Sequence, residues 1–184
     1  MANLFVIKEV NITNGTTEVV FANGVNGVIF DNTFDKYLFE ASGIITNSAA
    51  STVQIFCQVS ITSGASWLSG ASDYRYKWYK IRGAASQTNT VGSFSIVSGE
   101  TAPTSYPVQF KMNFYTPYNS YNKYYNSFDW LQDFDLSPGN TAMNMISTRI
   151  LTNSPVNGIR FYPDLSTFKE GRIVMYGLMD KETC

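Results

Sequence analysis

The chain contains no histidine, so it lacks the commonest general base and the commonest metal ligand of proteins. Nucleophilic triads that depend on imidazole are excluded, and so are the usual catalytic zinc sites. Charged residues are scarce too, at 15% of the chain against about a quarter in ordinary globular domains. We therefore expect a non-enzymatic protein that needs no metal and no cofactor, with a surface made polar by Ser, Thr and Asn.

Strong net charge and long apolar runs are also missing. The formal net charge is -1, and no basic stripe of the kind that binds nucleic acid is present. No segment reaches the roughly 20 apolar residues of a membrane span, and residues 1–10 do not resemble an export signal. The two cysteines, Cys57 and Cys184, are too few for a disulfide framework. We expect a buried thiol at the first and an exposed thiol at the second, no nucleic-acid partner and no membrane insertion.

Carboxylates could still support chemistry without histidine. Asp129, Asp133 and Asp135 lie close together in the sequence FDWLQDFDL. A calcium site and a glycosidase pair both need only carboxylates, although this spacing is not that of an EF-hand. A solvated polar loop is the third interpretation, and we favour it because acids in turn-rich segments usually face water.

Short segments of alternating apolar and polar residues recur between turn signals, and aromatics, which favour strands, make up 15% of the chain. Ten segments fit this pattern: 3–10, 17–21, 37–45, 53–62, 74–82, 93–97, 108–114, 143–151, 158–162 and 171–178. Only residues 32–41 and 127–134 could hold a helical turn or two. We predict one all-β domain over residues 1–184, an antiparallel β-sandwich of jelly-roll type with about 8–10 strands.

The last predicted strand, residues 171–178, has apolar residues on both faces. Ile173 and Met175 share one face, and Val174 and Tyr176 share the other. The first and last strands of such folds often pair within a sheet, and a glycine such as Gly177 lets a neighbouring group come close. We therefore expect a buried strand covered on both faces.

Residues 157–161 contain the arrangement Ile-x-Phe, and residues 168–178 contain Phe-x-x-Gly-x-Ile-x-x-Tyr-Gly. With these two motifs, the C-terminal region resembles that of small virion structural proteins of tailed bacteriophages. Residues 32–38 are similar to their Asp-x-Tyr segment, with Phe34 where Tyr is frequent. The resemblance implies a jelly roll in a tail fibre, appendage, baseplate or capsid accessory. It implies a protein made in the host cytoplasm and located in the virion, with copies of itself, as a guessed trimer, and other virion proteins as partners.

One segment departs from that resemblance, because residues 115–130 are unusually rich in aromatics interleaved with Asn and Ser. Tyr and Trp give rigid amphipathic contact area, so this segment is a candidate glycan or subunit contact. Its candidate residues are Tyr118, Tyr121, Tyr124, Tyr125 and Trp130. The alternative is that half of the segment packs in the core and the rest is ordinary strand surface. Three functions stay open: a structural virion protein such as a tail component or capsid decoration protein, a carbohydrate-binding module for host polysaccharide, and a carboxylate-only glycoside hydrolase.

Overall fold

A computed structural model describes residues 3–31, 33–48, 53–82, 84–92, 95–101, 107–115, 123–132 and 141–179. These residues form twelve β-strands and, within the described ranges, no helix. The strands are β1 Asn3–Ile12, β2 Val19–Ala22, β3 Lys36–Thr46, β4 Val53–Ser60, β5 Tyr74–Arg82, β6 Ala84–Gly92, β7 Ser95–Thr101, β8 Val108–Tyr115, β9 Lys123–Gln132, β10 Thr141–Ile150, β11 Gly158–Pro163 and β12 Phe168–Met179.

The strands are arranged in two antiparallel sheets. The larger sheet has eight strands in the order β1-β12-β3-β8-β9-β10-β5-β6, and the smaller has four in the order β2-β11-β4-β7. Among the described residues there are two clusters of buried hydrophobic side chains, and the larger one takes side chains from both sheets. The predicted all-β class and antiparallel sandwich are confirmed.

Phe161 of β11 lies at the centre of the contact between the sheets. Its ring centroid is 5.3 Å from that of Phe39 in β3, 5.5 Å from that of Phe110 in β8 and 6.2 Å from that of Phe21 in β2. All four rings are at most 1% exposed. Burying each such side chain contributes about 1.5–3 kcal/mol, so this aromatic group is a main source of stability.

Tyr74 ties the two sheets together by hydrogen bonds. Its hydroxyl accepts from the Val59 amide at 2.9 Å and donates to the Leu68 carbonyl at 3.2 Å. Burial strongly raises the pKa of Tyr74, so the phenol stays neutral. The start of β5 is therefore fixed against β4 and the loop that follows β4.

The last strand, β12, lies between β1 and β3 in the larger sheet. Ile173 and Met175 are fully buried in the core, and Val174 on the opposite face is 4% exposed. Tyr176 on that outer face is only partly buried. The predicted alternation and the predicted pairing of the first and last strands are confirmed.

Gly177 makes room for an aromatic ring. A Cβ atom at this position would lie 2.4 Å from Cγ of Phe34, well inside van der Waals contact. The ring of Phe34 also packs against Tyr37, at 5.8 Å between centroids. The close approach expected at Gly177 is therefore confirmed.

Two of the twelve strands were not predicted from the sequence, and both predicted helical turns are wrong. Residues 84–92 are polar and were not predicted as a strand, yet they form β6. Residues 123–132 form β9, although 127–134 suggested a helical turn. Residues 36–41, inside the other suggested turn, belong to β3. Pairing with neighbouring strands overrides such local preferences, because strand propensity depends on context.

Candidate functional site

The aromatic residues that the sequence nominated as a contact surface fall into two groups, those outside the described residues and those in β9. Tyr118 and Tyr121 lie outside the described residues. Tyr124, Tyr125 and Trp130 belong to β9, which runs between β8 and β10 in the larger sheet. Their backbone positions are therefore fixed by the register of that sheet.

The register separates Tyr124 from Tyr125. Tyr124 pairs with exposed Arg149, whereas Tyr125 pairs with Phe114 and Thr148, which are 0% and 1% exposed. Because successive residues of a strand belong to opposite faces, Tyr124 and Tyr125 belong to opposite faces of the larger sheet.

The carboxylate cluster of the sequence is only partly described. Asp133 and Asp135 lie outside the described residues, and Asp129 occupies a position in β9 opposite Phe110 and Asn144. Both partners of Asp129 are about 1% exposed. Within the described ranges, no group of three or more Cys, Asp or Glu residues is placed to hold a metal ion. Cys57 is a buried thiol, as expected, and Cys184 lies outside the described residues.

A different cluster stands out on the outer face of the smaller sheet, around Arg160 of β11. The Nε of Arg160 donates to Oε1 of Gln58 at 3.0 Å, and its Nη2 donates to the same oxygen. Its Nη1 donates to Oε2 of Glu18 at 2.8 Å. Gln58 lies opposite Arg160 in β4, and Glu18 directly precedes β2. One guanidinium thus joins β11 to β4 and to the residue that directly precedes β2.

Two aromatic rings enclose this guanidinium. The Cζ atom of Arg160 is 4.9 Å from the ring centroid of Trp67 and 5.0 Å from that of Tyr162. These distances are within the range of cation–π attraction. Burial raises the pKa of Tyr162 to about 12, although the positive charge of Arg160 acts in the opposite direction. We call Glu18, Gln58, Trp67, Arg160 and Tyr162 the arginine cluster.

The loop that carries Trp67 is held firmly on the sheet. The Gly64 amide donates to Oγ of Ser60 at 2.9 Å, and the Ser63 amide donates to Oδ1 of Asn157 at 2.6 Å. Asn157 also donates through Nδ2 to the Ile61 carbonyl at 3.3 Å. Trp67 therefore projects from a loop that is already ordered by its own polar contacts.

The arginine cluster can do two things chemically. It fastens the β4–β5 loop to β4, to β11 and to the residue before β2, and it presents partly exposed aromatic and polar groups at one surface. Three of the five N–H groups of Arg160 donate within the cluster, so two remain for another acceptor. The sequence alone does not reveal this site, because Trp67 is distant in sequence from Arg160. The only local signal was the i, i+2 spacing of Arg160 and Tyr162 on one strand face.

The outer edge of β1 is a second accessible surface. Leu4, Phe5 and Val6 are 51%, 44% and 65% exposed, and among the described strands β1 pairs only with β12, on one side. Proteins usually protect a sheet edge with charges, proline or a covering segment, because its free backbone groups can pair with another chain. Residues 3–7 contain no charge and no proline.

Within the described ranges, the structure has no helix of the length and apolarity that a membrane crossing requires.

The chain was compared with known proteins. Neither a family model, nor a curated protein, nor a solved structure matches it.

Proposed function

We propose that this protein is a non-enzymatic structural component of a tailed-phage virion that assembles as a homo-oligomer. The observation that carries the assembly proposal is the open apolar edge of β1. Three consecutive large apolar side chains, Leu4, Phe5 and Val6, are at least 44% exposed there. Pairing this edge with a second copy would satisfy its backbone hydrogen bonds and bury those side chains together.

The symmetry of assembly depends on which edge β1 meets. Pairing of β1 with β1 of another copy would give a twofold dimer. Pairing of β1 with β6, the opposite edge of the same sheet, is a heterologous contact that closes into a ring such as a trimer. The trimer is our choice, and it rests on the resemblance to phage tail proteins.

The virion part of the proposal rests on the resemblance in residues 157–161 and 168–178. It includes a jelly-roll arrangement of the sandwich, a tail-associated position, other virion proteins as partners and location in the particle. Mass spectrometry of purified particles that contain this gene product tests it. Absence of the protein from intact particles would rule out a virion role and leave the assembly proposal standing.

Light scattering coupled to size-exclusion chromatography tests the assembly. At micromolar concentration we expect a mass that is a multiple of 20.6 kDa. The substitution Val6→Lys places a charge at the open edge and should dissociate the oligomer. Val25→Lys is the matched control, because Val25 is 49% exposed in the loop after β2. A wild-type monomer, or equal effects of both substitutions, would contradict the proposal.

A second candidate function is carbohydrate binding for attachment to a host surface, and the arginine cluster favours it. Sugar sites combine aromatic rings with fixed polar groups, and Trp67, Tyr162 and Arg160 provide both at one surface. Titration with host polysaccharide should change tryptophan fluorescence, and Trp67→Ala should abolish that change. Val20→Ala, at an exposed position of the same sheet face, is the control. An unchanged spectrum in the wild-type protein would leave the structural role alone.

A further inference from the structure

Four Asn-Gly dipeptides occur in the chain, at residues 14–15, 23–24, 26–27 and 157–158. Asparagine followed by glycine is chemically labile, because the backbone nitrogen of the glycine can attack the side-chain amide of the asparagine. Glycine has no Cβ atom to hinder this approach. The four dipeptides share this local chemistry, so differences in their reactivity have to come from the fold.

In the first dipeptide, residues 14–15, both reacting groups are engaged in hydrogen bonds. Oδ1 of Asn14 accepts from Nδ2 of Asn47 at 2.7 Å. The Gly15 amide donates to the Phe168 carbonyl at 3.0 Å. Both hydrogen bonds have to break before the glycine nitrogen can reach the side chain of Asn14.

The dipeptide at residues 23–24 is held in the same way. Oδ1 of Asn23 accepts from the Phe30 amide at 2.9 Å, and the Gly24 amide donates to the Val28 carbonyl at 3.0 Å. Phe30 is 1% exposed and belongs to the core, so the partner of Asn23 is itself fixed.

The dipeptide at residues 157–158 is fixed at the start of β11. Oδ1 of Asn157 accepts from the Ser63 amide at 2.6 Å, and its Nδ2 donates to the Ile61 carbonyl at 3.3 Å. Gly158 is buried between β2 and β4, with which it pairs on either side. The side chain and the peptide group that would have to rotate towards each other are therefore both held.

Asn26 and Gly27 differ from these three pairs, because both are exposed in the loop after β2. None of the hydrogen bonds between described residues involves the Asn26 side chain or the Gly27 amide. Their φ angles are 52° and 79°, and the Val28 amide donates to the Val25 carbonyl at 3.0 Å. These are the features of a type I′ turn, which prefers Asn-Gly at its centre. A reaction here needs a local change of the turn and no loss of a side-chain hydrogen bond.

We propose that Asn26 is the preferred site of spontaneous deamidation in the folded protein. The Gly27 nitrogen attacks Cγ of Asn26, a new C–N bond forms, and the Cγ–Nδ2 bond breaks. The former amide proton of Gly27 leaves with the side-chain nitrogen as ammonia, and a cyclic succinimide remains. Water then opens the ring at either carbonyl, which gives aspartate or isoaspartate at position 26. Each event adds one negative charge to a chain whose formal net charge is -1.

The modification changes the exposed tip of the loop. Isoaspartate lengthens the main chain of the turn by one carbon atom, so the hydrogen bond between Val28 and Val25 cannot keep its geometry. Val28 is 3% exposed and packs in the core, so the loop stays anchored directly after the modified residue. Ageing of the protein therefore alters the charge and shape of this tip. The proposal concerns neither the β1 edge nor the arginine cluster, so it holds whatever those surfaces bind.

Tandem mass spectrometry of peptides from the aged full-length protein tests the proposal. After incubation of the folded protein in mildly alkaline buffer, we expect deamidation at Asn26 to be at least tenfold faster than at Asn14, Asn23 or Asn157. In guanidinium chloride the fold is lost, and the four sites should react at rates within about threefold of one another. Equal rates at the four sites of the folded protein would overturn the proposal, and so would an excess at Asn26 that persists unchanged in the unfolded chain.

Two variants separate this site from general ageing of the chain. Asn26→Gly keeps a residue that tolerates positive φ and removes the reacting side chain. Asn14→Gly is the matched control, because it removes the same dipeptide from another exposed turn. On anion-exchange chromatography, the acidic species that forms in the wild type should be absent from aged Asn26→Gly and should form at the wild-type rate in Asn14→Gly. The same acidic species in aged Asn26→Gly would contradict the assignment.

Detection of isoaspartate tests the route through the succinimide. Protein-isoaspartate methyltransferase with labelled S-adenosylmethionine should label the aged wild type and Asn14→Gly, and it should not label Asn26→Gly. Direct hydrolysis of the side-chain amide by water gives aspartate alone. Charge gain at Asn26 without labelling would therefore show that the Gly27 nitrogen takes no part and would overturn the proposed step.

Discussion

Replacing Gly177 by alanine tests the packing at the end of β12. The new Cβ atom would lie 2.4 Å from both Cγ and Cδ1 of Phe34 and 2.6 Å from its Cδ2. Carbon atoms prefer about 3.5–4.0 Å, so the ring has to retreat by about 1 Å or more. The neighbouring rings of Phe5 and Tyr37, at 6.0 and 5.8 Å between centroids, restrict that movement.

The expected cost follows from two opposing terms. Overpacking of this kind costs about 1–3 kcal/mol. Alanine in a strand recovers about 0.5–1 kcal/mol relative to glycine. We therefore expect Gly177→Ala to lower the free energy of unfolding by about 1–2 kcal/mol, which is about 2–8 °C in melting temperature for a domain of this size.

A double-mutant cycle with Phe34→Ala tests whether the cost of Gly177→Ala comes from the clash with Phe34. Urea unfolding followed by tryptophan fluorescence gives the free energy of unfolding of each variant. In the Phe34→Ala background the clash is gone, so Gly177→Ala should become neutral or stabilising. The two substitutions would then be coupled by about 1–3 kcal/mol. Additive effects, or a wild-type-like Gly177→Ala protein, would show that Phe34 does not occupy this space.

Three further predictions follow from burial and titration. Deleting residues 171–184 removes most of a central strand and should yield insoluble or unfolded protein, whereas deleting 180–184 should leave a cooperative thermal transition; a soluble, cooperatively melting product of the longer deletion would contradict this. Tyr74→Phe should lower the free energy of unfolding by about 1–3 kcal/mol in urea titrations, because the buried Val59 amide loses its acceptor; an unchanged midpoint would refute it. The folded-state pKa of Tyr162 is raised to about 12 from an ordinary value of 10.0, so the stability it contributes is present below pH 10 and is lost as the pH rises towards 12. Tyr162→Phe should flatten that loss in melting temperature measured from pH 9 to 11.5, and an identical slope in both proteins would count against it.

The sequence predicted the strands whose apolar residues alternate regularly. In β8, Val108, Phe110, Met112 and Phe114 are at most 1% exposed, as their spacing required. β6 could not be found in this way because small and polar residues fill it almost throughout, and β9 could not because polar and aromatic residues are mixed along it without a clear period. They form strands because the sheet supplies hydrogen-bond partners on the neighbouring strands, which no local pattern encodes.

For the candidate sites too, some features could be predicted from the sequence and others required the structure. Tyr124 and Tyr125 are adjacent and chemically identical, so the sequence could nominate both and could not separate them. The register of β9 places the first in a row with Arg149 and the second in a row with Phe114. The arginine cluster could not be predicted at all, since Trp67 and Arg160 meet only after β4 and β11 have paired.

The sequence by itself determined the class of fold, because period-2 alternation and turn residues act over a few positions and need no distant partner. It also determined that no imidazole can take part in any chemistry of this chain. Only the tertiary structure decided which strands lie side by side. That choice placed Arg75 against Arg149 and Phe34 over Gly177. Such contacts join residues far apart in the chain, and their energies depend on register and packing, which exist only once both sheets are assembled.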